Sequence, residues 1–474
     1  MASTAECNKG FCSNYMLLDP KKATLPDIFC LLFSSNLNNR KFVDSSQEKQ
    51  KNFRYRLIIF FSILVLYLLQ LFSKPMAWMG SFMETMLNLL PCNGGFYGLI
   101  MNIIRGRNVI PDRDSETFVS IAGNLDSRMQ LDRNIKNGDS MYYPALAIMA
   151  SKAAYNNKAY TQTIVEDHWE MKHLGFNDYW NDYLEKTTTQ AFLFQDKVTV
   201  DDHDDTTIVV TFRGTELFNS DDWCSDFDLS WYELPNVGKI HSGFMKALGL
   251  QKSVGWPKEP VPNPSRKEPL AYYHIRDILR NILSNNKRAK FIVTGHSLGG
   301  ALAALFPAVL FFHEEKLLLE RLQGVFTFGQ PRVGDEMFGN YMENNFKRHG
   351  IQYYRFVYGN DMVARVPFDD KNFVFKHFGS CVYYNRRYEG EIVKEEPFKN
   401  YFSIWAVFSM ITNAMFELIR SFTIVKKQGS GFREGYLQIF LRLIGLVVPG
   451  LPAHSPMDYV NSTRLGPDAL FPHY

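Results

Sequence analysis

The hydrophobic pattern changes character several times along the chain. Residues 1–50 are mixed, turn polar toward their end, and read as an N-terminal polar segment without a motif. A charge-free apolar run then extends from Leu57 to Phe72, preceded by Lys49, Lys51, Arg54 and Arg56 and ended by Lys74-Pro75. It falls just short of the ~20 residues a helix needs to cross a bilayer. A weaker apolar stretch, Met76 to Ile104, is interrupted by Glu84, Pro91 and Gly94-Gly95 and closed by Arg105 and Arg107. Residues 51–107 therefore read as a hydrophobic anchor for a membrane or lipid droplet. Two arrangements compete: a single span with its basic flank in the cytosol, or a hairpin or in-plane anchor with basic residues at both ends on one side. The second is preferred, since a droplet has no aqueous far side and an entering chain must return. A buried helix of a soluble fold is the plainer alternative.

Residues 108–205 read as mostly helical and packed on the domain C-terminal to them. Ala145–Tyr155 is rich in good helix formers, and the aromatic stretch His168–Tyr183 is expected to cover the core. From 206 onward, short β-branched runs alternate with helices. Thr207–Phe212, Phe291–Thr294, Gly324–Phe328 and Tyr353–Val357 are predicted strands, and Ser297 to about His313 is a predicted helix. This alternation predicts an α/β domain over 206–474, with a mainly parallel sheet covered on both faces. The Pro-rich, charged residues 256–268 read as an exposed loop.

Inside that domain, about 398–449 reads as an insertion. Ile404, Phe408, Ile411, Met415, Leu418 and Phe422 recur at steps of four and three, with Ser409, Asn413, Glu417 and Arg420 opposite. That is an amphipathic helix from about Asn400 to Val425. A second apolar segment, Tyr436–Val448, ends at Pro449-Gly450. With Trp405, the pair suits a lipid interface; packing on the domain core or on 57–104 is the alternative.

Composition sharpens this picture in three places. Aromatics reach 15% with 39 Phe, which favours contact with something greasy; a Phe-rich core is the alternative. A net charge of +3 leaves no footprint for nucleic acid. The cysteines at 7, 12, 30, 92, 224 and 381 form no C-x-x-C pair, so they read as free thiols in a reducing compartment. Met1–Asn14 lacks a basic-then-apolar leader, so secretion is not expected and the catalytic part is taken to face the cytosol.

The chemistry concentrates in Phe291-Ile-Val-Thr-Gly-His-Ser-Leu-Gly-Gly300, which reads as strand, tight turn and helix. A serine hydroxyl needs a neighbouring base to become a nucleophile. The turn must lift Ser297 clear of its neighbours, and the strained backbone leaves no room for Cβ atoms at Gly295 and Gly299. His296 points away from the serine on such a turn and is expected to pack. Acyl transfer also needs two N–H donors for the developing oxyanion. Leu298, the residue after the nucleophile, supplies one. The loop Arg213-Gly214-Thr215 suits the second through Thr215; an ordinary turn with a helix-capping Thr is equally compatible with the spacing.

The acid is expected next in the chain and the base last. Asp361 follows the strand Tyr353–Val357, and Asp335 competes with it; Asp369 and Asp370 read as loop residues. The candidate bases are His377, His454 and His473, the last beside the terminus. The residues alone do not separate His377 from His454.

Thr211-Phe-Arg-Gly-Thr215, His241-Ser-Gly-Phe244, Thr294–Gly300, Thr327-Phe-Gly-Gln-Pro-Arg-Val-Gly334 and Asn360-Asp-Met-Val-Ala-Arg-Val-Pro367 together resemble the lipase class 3 family. His168-Trp-Glu-Met171 and His454–Gly466 are similar to the plant oil-body triacylglycerol lipases. The resemblance implies an α/β-hydrolase with Ser297 as nucleophile, Asp361 as acid and His454 as base, the last in a His-x-x-x-x-Tyr setting. It implies that His377 is structural and that Thr215 and Leu298 donate to the oxyanion. In the fungal relatives a lid helix follows the loop; here the place is taken by Leu217–Trp223, more acidic than a greasy lid. The expected activity is hydrolysis of triacylglycerol at an oil-body or membrane surface, without metal or cofactor. A phospholipase A1 or galactolipase is the alternative, and a non-catalytic lipid-surface scaffold the weaker one.

Overall fold

The computed structural model describes residues 11–34, 40–46, 53–107, 109–197, 206–367, 375–399 and 404–467. His473, Asp369 and Asp370 lie outside them. The strands are β1 Asn14–Leu18, β2 Val43–Ser45, β3 Lys172–Asn181, β4 Lys186–Lys197, β5 Thr206–Phe212, β6 Trp231–Leu234, β7 Gly238–His241, β8 Lys290–His296, β9 Leu322–Phe328, β10 Gln352–Tyr358, β11 Ser380–Tyr384 and β12 Gly390–Val393. The helices that bear on the site are α1 Phe53–Leu71, α2 Ser73–Cys92, α3 Gly95–Ile104, α4 Ile121–Leu125, α5 Tyr142–Ala153, α6 Ser220–Phe227, α7 Leu298–His313, α8 Glu336–His349, α9 Ile404–Gln428, α10 Tyr436–Ile444 and α11 Pro456–Leu465.

The four predicted strands, β5, β8, β9 and β10, lie side by side with β11, all parallel. They are apolar at consecutive positions, as strands buried on both faces must be. Side chains alternate between two cores. Ile208, Val210 and Phe212 join one with α7; Val209 and Ile292 join the other with α5 and α11.

The helical expectation for 108–205 fails in its last third. β3 and β4 form an antiparallel hairpin that extends the sheet beyond β5, so the sheet begins well before residue 206. The Thr-rich and aromatic-rich runs Lys186-Thr-Thr-Thr and Ala191-Phe-Leu-Phe194 carry the β preference. The aromatic stretch after His168 is thus a strand of the sheet more than a cover for it. The N-terminal segment is likewise structured: β1 pairs with β2 and with β6 in a four-stranded antiparallel sheet, β2-β1-β6-β7.

The apolar run 57–72 becomes α1. One face, Ile59, Phe60, Ile63 and Leu66, is buried against Met16, Leu18, Ile28 and Trp231; Phe61, Leu68, Leu71 and Phe72 are exposed. Among the described residues no single helix is long and apolar enough to cross a membrane, and α1 and α2 form a pair bent by 61°.

The amphipathic reading of the insertion holds, but its orientation is inverted relative to a helix of a soluble domain. Phe408, Ile411, Met415, Ile419 and Phe422 of α9 are exposed, while Glu417, Arg420 and Ser421 are buried. In α10, Tyr436, Phe440 and Leu443 face outward, and Gln438 and Arg442 are buried.

Candidate active site

Ser297 sits between β8 and α7 with φ +60°, a left-handed backbone that a residue with a side chain rarely adopts. The two flanking glycines are needed for space. A Cβ at Gly295 would stand 2.2 Å from the carbonyl of Gly299, and one at Gly299 would stand 2.3 Å from the Phe212 oxygen. The second contact also brings the loop after β5 directly onto the turn. A Cβ at Gly214 would meet the His296 carbonyl oxygen at 2.5 Å. Thr215 and the first residue of α7, Leu298, are therefore on neighbouring segments. The backbone N–H of Ser297 donates to the Phe328 carbonyl at 2.9 Å, which pins the turn to the end of β9. Ala301, Ala303 and Ala304 let α7 lie close to the sheet.

Asp361 follows β10 at the carboxyl end of the sheet, where parallel sheets collect their chemistry. It is fully buried. The His454 ring lies 2.8 Å away, Nδ1 to Asp361 Oδ2. A carboxylate only accepts, so Nδ1 donates in this contact and Nε2 is the ring nitrogen left for other partners. Nε2 is buried and has no hydrogen-bond partner among the described residues. The Tyr459 hydroxyl also donates to Asp361 Oδ2, and the Val363 N–H donates to Oδ1 at 2.8 Å. Gly329 borders the pair: a Cβ there would stand 2.7 Å from Asp361 Oδ2 and 2.8 Å from the His454 ring.

The rival candidates fall elsewhere. Asp335 caps α8, accepting from the Phe338 N–H at 2.8 Å. The His377 side chain is buried, with Nε2 on the Ala364 carbonyl at 2.6 Å and Arg332, Arg355 and Glu396 around it. Burial holds its pKa well below the usual histidine value, and Arg355 adds to that.

His296 does more than pack. Its Nε2 lies 2.9 Å from the His454 backbone carbonyl and its Nδ1 lies 2.8 Å from the Tyr155 hydroxyl. Burial, aided by His454, holds its pKa well below the ordinary value. A neutral ring with its proton on Nε2 satisfies both contacts, the Tyr155 hydroxyl donating to Nδ1. The sequence carried no sign of the Tyr155 partner.

The Thr215 hydroxyl donates to Asp226 Oδ2 at 2.6 Å. Asp226 belongs to α6, which follows the loop after β5. Burial pushes its pKa up to about 8, and burial likewise pushes that of Asp222, one turn earlier, up to about 7. This pair was not singled out from the sequence. A cavity of about 450 Å³ is bounded by α2, Tyr155 and the loop Glu216–Asp221.

The layout is that of an α/β-hydrolase. Residues 209–371 match the family model for lipase (class 3). Proteins named triacylglycerol lipase OBL1 match across nearly the whole chain. The one from Nicotiana tabacum is 41% identical, over 87% of this chain and 84% of its own length. The one from Arabidopsis thaliana is 39% identical, over 97% and 96%. Among solved structures, the Rhizomucor miehei lipase propeptide complex aligns at 24% identity over 52% of this chain and 67% of that chain, with a TM-score of 0.36. The chain belongs to the class 3 lipase family. It is a serine-dependent ester hydrolase, nearest in kind to the plant proteins among these relatives.

Proposed function

We propose that the enzyme hydrolyses triacylglycerol at an oil-body or membrane surface through Ser297, His454 and Asp361. The supporting observation is the 2.8 Å contact between His454 Nδ1 and buried Asp361, beside a serine in a strained turn. His454 Nε2 takes the proton as Ser297 Oγ attacks the ester carbonyl. The N–H groups of Thr215 and Leu298 hold the oxyanion, with the Thr215 hydroxyl beside them. The protonated imidazole then gives its proton to the leaving diacylglycerol alcohol. Water repeats the sequence on the acyl-serine and releases a fatty acid.

The surface reading rests on the outward faces of α1–α3, α9 and α10. Large apolar side chains exposed on several neighbouring helices mark a lipid or protein contact. Trp78 is 71% exposed, Phe408 73% and Tyr436 94%, values that a water-facing surface does not favour. Arg105, Lys426 and Lys427 stand at the ends of these helices, as the headgroup region favours. The five described cysteines are free thiols, consistent with a catalytic domain on the cytosolic side.

Purified wild type and Ser297→Ala, assayed on triolein, phosphatidylcholine and monogalactosyldiacylglycerol emulsions, test the reading. Fatty acid release from triolein by wild type, lowered at least ~1,000-fold in Ser297→Ala, is expected. Release from a polar lipid but not from triolein would make the enzyme a phospholipase A1 or galactolipase.

A further inference from the structure

Two of the helices that carry outward apolar faces, α9 and α10, hold the His454 segment from behind. Their buried sides converge on α11, which starts two residues after His454. Asp458 of α11 is wholly buried and receives four hydrogen bonds. Its Oδ1 accepts from Arg420 Nη2 at 2.8 Å, Arg442 Nη2 at 2.8 Å and the Tyr388 hydroxyl at 2.9 Å; its Oδ2 accepts from Arg442 Nη1 at 2.7 Å. Arg442 also reaches Glu434 through Nε and Nη2, and Glu417 through Nη1, each at 3.2 Å. Every nitrogen of this buried guanidinium is engaged. Ser455, the residue after the base, donates from Oγ to Gln438 Oε1 of α10 at 2.8 Å.

The cluster reaches the acid as well. Arg420 Nη1 donates to the Tyr358 hydroxyl at 2.7 Å, and that hydroxyl donates to Glu417 at 3.2 Å. Tyr358 ends β10 and precedes Asp361 by one turn, its carbonyl accepting from the Asp361 N–H at 3.0 Å. Tyr459, next to Asp458, donates to Asp361. The arginine fork thus sets the register of α11 against β10, which is the register of His454 against Asp361.

We propose that Arg420 and Arg442, acting through Asp458, are positioning residues that fasten His454 in line with Asp361 and Ser297. The proposal rests on the triad assigned above. Burying two guanidinium and three carboxyl groups is costly, and apolar packing would hold two helices together as well or better. What ions with fixed forks provide is a single register. Asp458, although burial alone would raise it, is held below its ordinary value by Arg442 and Arg420, so it keeps its charge and both arginines. An error of about 1 Å in a catalytic base costs up to ~100-fold in rate.

Two variants test this. Arg420→Gln removes one arginine and leaves Arg442 on Asp458. Ser455→Ala removes only the tie between the base segment and α10, and it guards against an unfolded Arg420 variant. Each is compared with wild type on a soluble p-nitrophenyl butyrate solution and with a fluorophosphonate that labels activated serine. The expected result is kcat and labelling rate lower by roughly 10-fold or more in Arg420→Gln and by several-fold in Ser455→Ala, with KM within about 2-fold. The final labelled fraction stays at the wild-type value, because the protein is folded and the serine is present. Unchanged labelling rates in both variants would overturn the proposal. So would a final labelled fraction that falls in step with the rate in both, which is the signature of lost fold alone. A wild type that takes no label would instead overturn the Ser297 assignment.

Discussion

At the scale of single residues, the carboxyl of Asp226 stores a pH dependence behind the loop that carries Thr215. Its pKa is pushed up to about 8, by burial first, with the Thr215 hydrogen bond opposing and Asp222 adding to the rise. Below the ordinary carboxylate value, folded and unfolded chains both hold this proton. As pH climbs from there toward 8 the unfolded chain releases it and the folded chain keeps it, so the stabilisation is lost across that window. Asn does not titrate and its side-chain oxygen still accepts from Thr215. Asp226→Asn is therefore expected to show a smaller fall in Tm between pH 5 and pH 9 than wild type, measured by calorimetry. Asp222, pushed up to about 7, keeps some slope in both proteins. Parallel Tm curves would show that Asp226 is already ionised in the fold. Nothing in Ser220-Asp-Asp-Trp-Cys-Ser-Asp226 announced this, because burial is a property of the assembled site. Ser297, Gly295 and Gly299 were legible, since their conformational demands are local. The residues alone left His377 and His454 open, and only the family resemblance implied His454. Their partners, Ala364 and Asp361, lie 13 and 93 positions away, and distance along the chain hid these contacts.

Elements were legible where their pattern is strong and local. The four β-branched runs became parallel strands and the alanine-rich run after Ser297 became α7. The β3–β4 hairpin was missed because its Thr and aromatic residues are set among Lys, Asn, Asp and Gln, which blur the two-residue alternation. Helix α9 differs from both. Its two faces are plain in the sequence, but periodicity does not say which face meets the protein. Glu417, Arg420 and Ser421 find partners inside, so Phe408, Ile411 and Met415 are left outside. Changing these three to Ser removes apolar area worth about 1 kcal/mol per side chain partly immersed in lipid, or ~100-fold in partition for the set. Hydrolysis of a triolein emulsion is expected to fall accordingly at limiting surface, while hydrolysis of soluble p-nitrophenyl butyrate stays within about 2-fold. An equal loss on both substrates would mean that the face packs against protein and that its removal damages the fold.

At the scale of the whole molecule, the two apolar regions come from opposite ends of the chain yet meet on one short element. Both α2 and α10 pack against α4, and α2 also lies on the segment that follows Thr215, where a Cβ at Gly80 would stand 2.6 Å from Phe218. The segments that carry Asp361, His454 and Thr215 are thus each backed by a helix with a greasy outer side. If both regions meet one lipid surface, the second contact forms at the high effective concentration created by the first. Binding then depends on the two regions together. Trp78→Ser with Phe82→Ser removes a stacked aromatic pair from α2, and Tyr436→Ser with Phe440→Ser removes two exposed rings from α10. Flotation of purified protein with triolein droplets coated in phosphatidylcholine reads the outcome. Each pair is expected to lower the floated fraction by weakening the affinity roughly 10- to 100-fold, and the four changes together are expected to leave the protein in the aqueous layer. A fourfold variant that floats like wild type, while its folded state is intact by circular dichroism, would remove the lipid surface from the account and leave these faces to a protein partner.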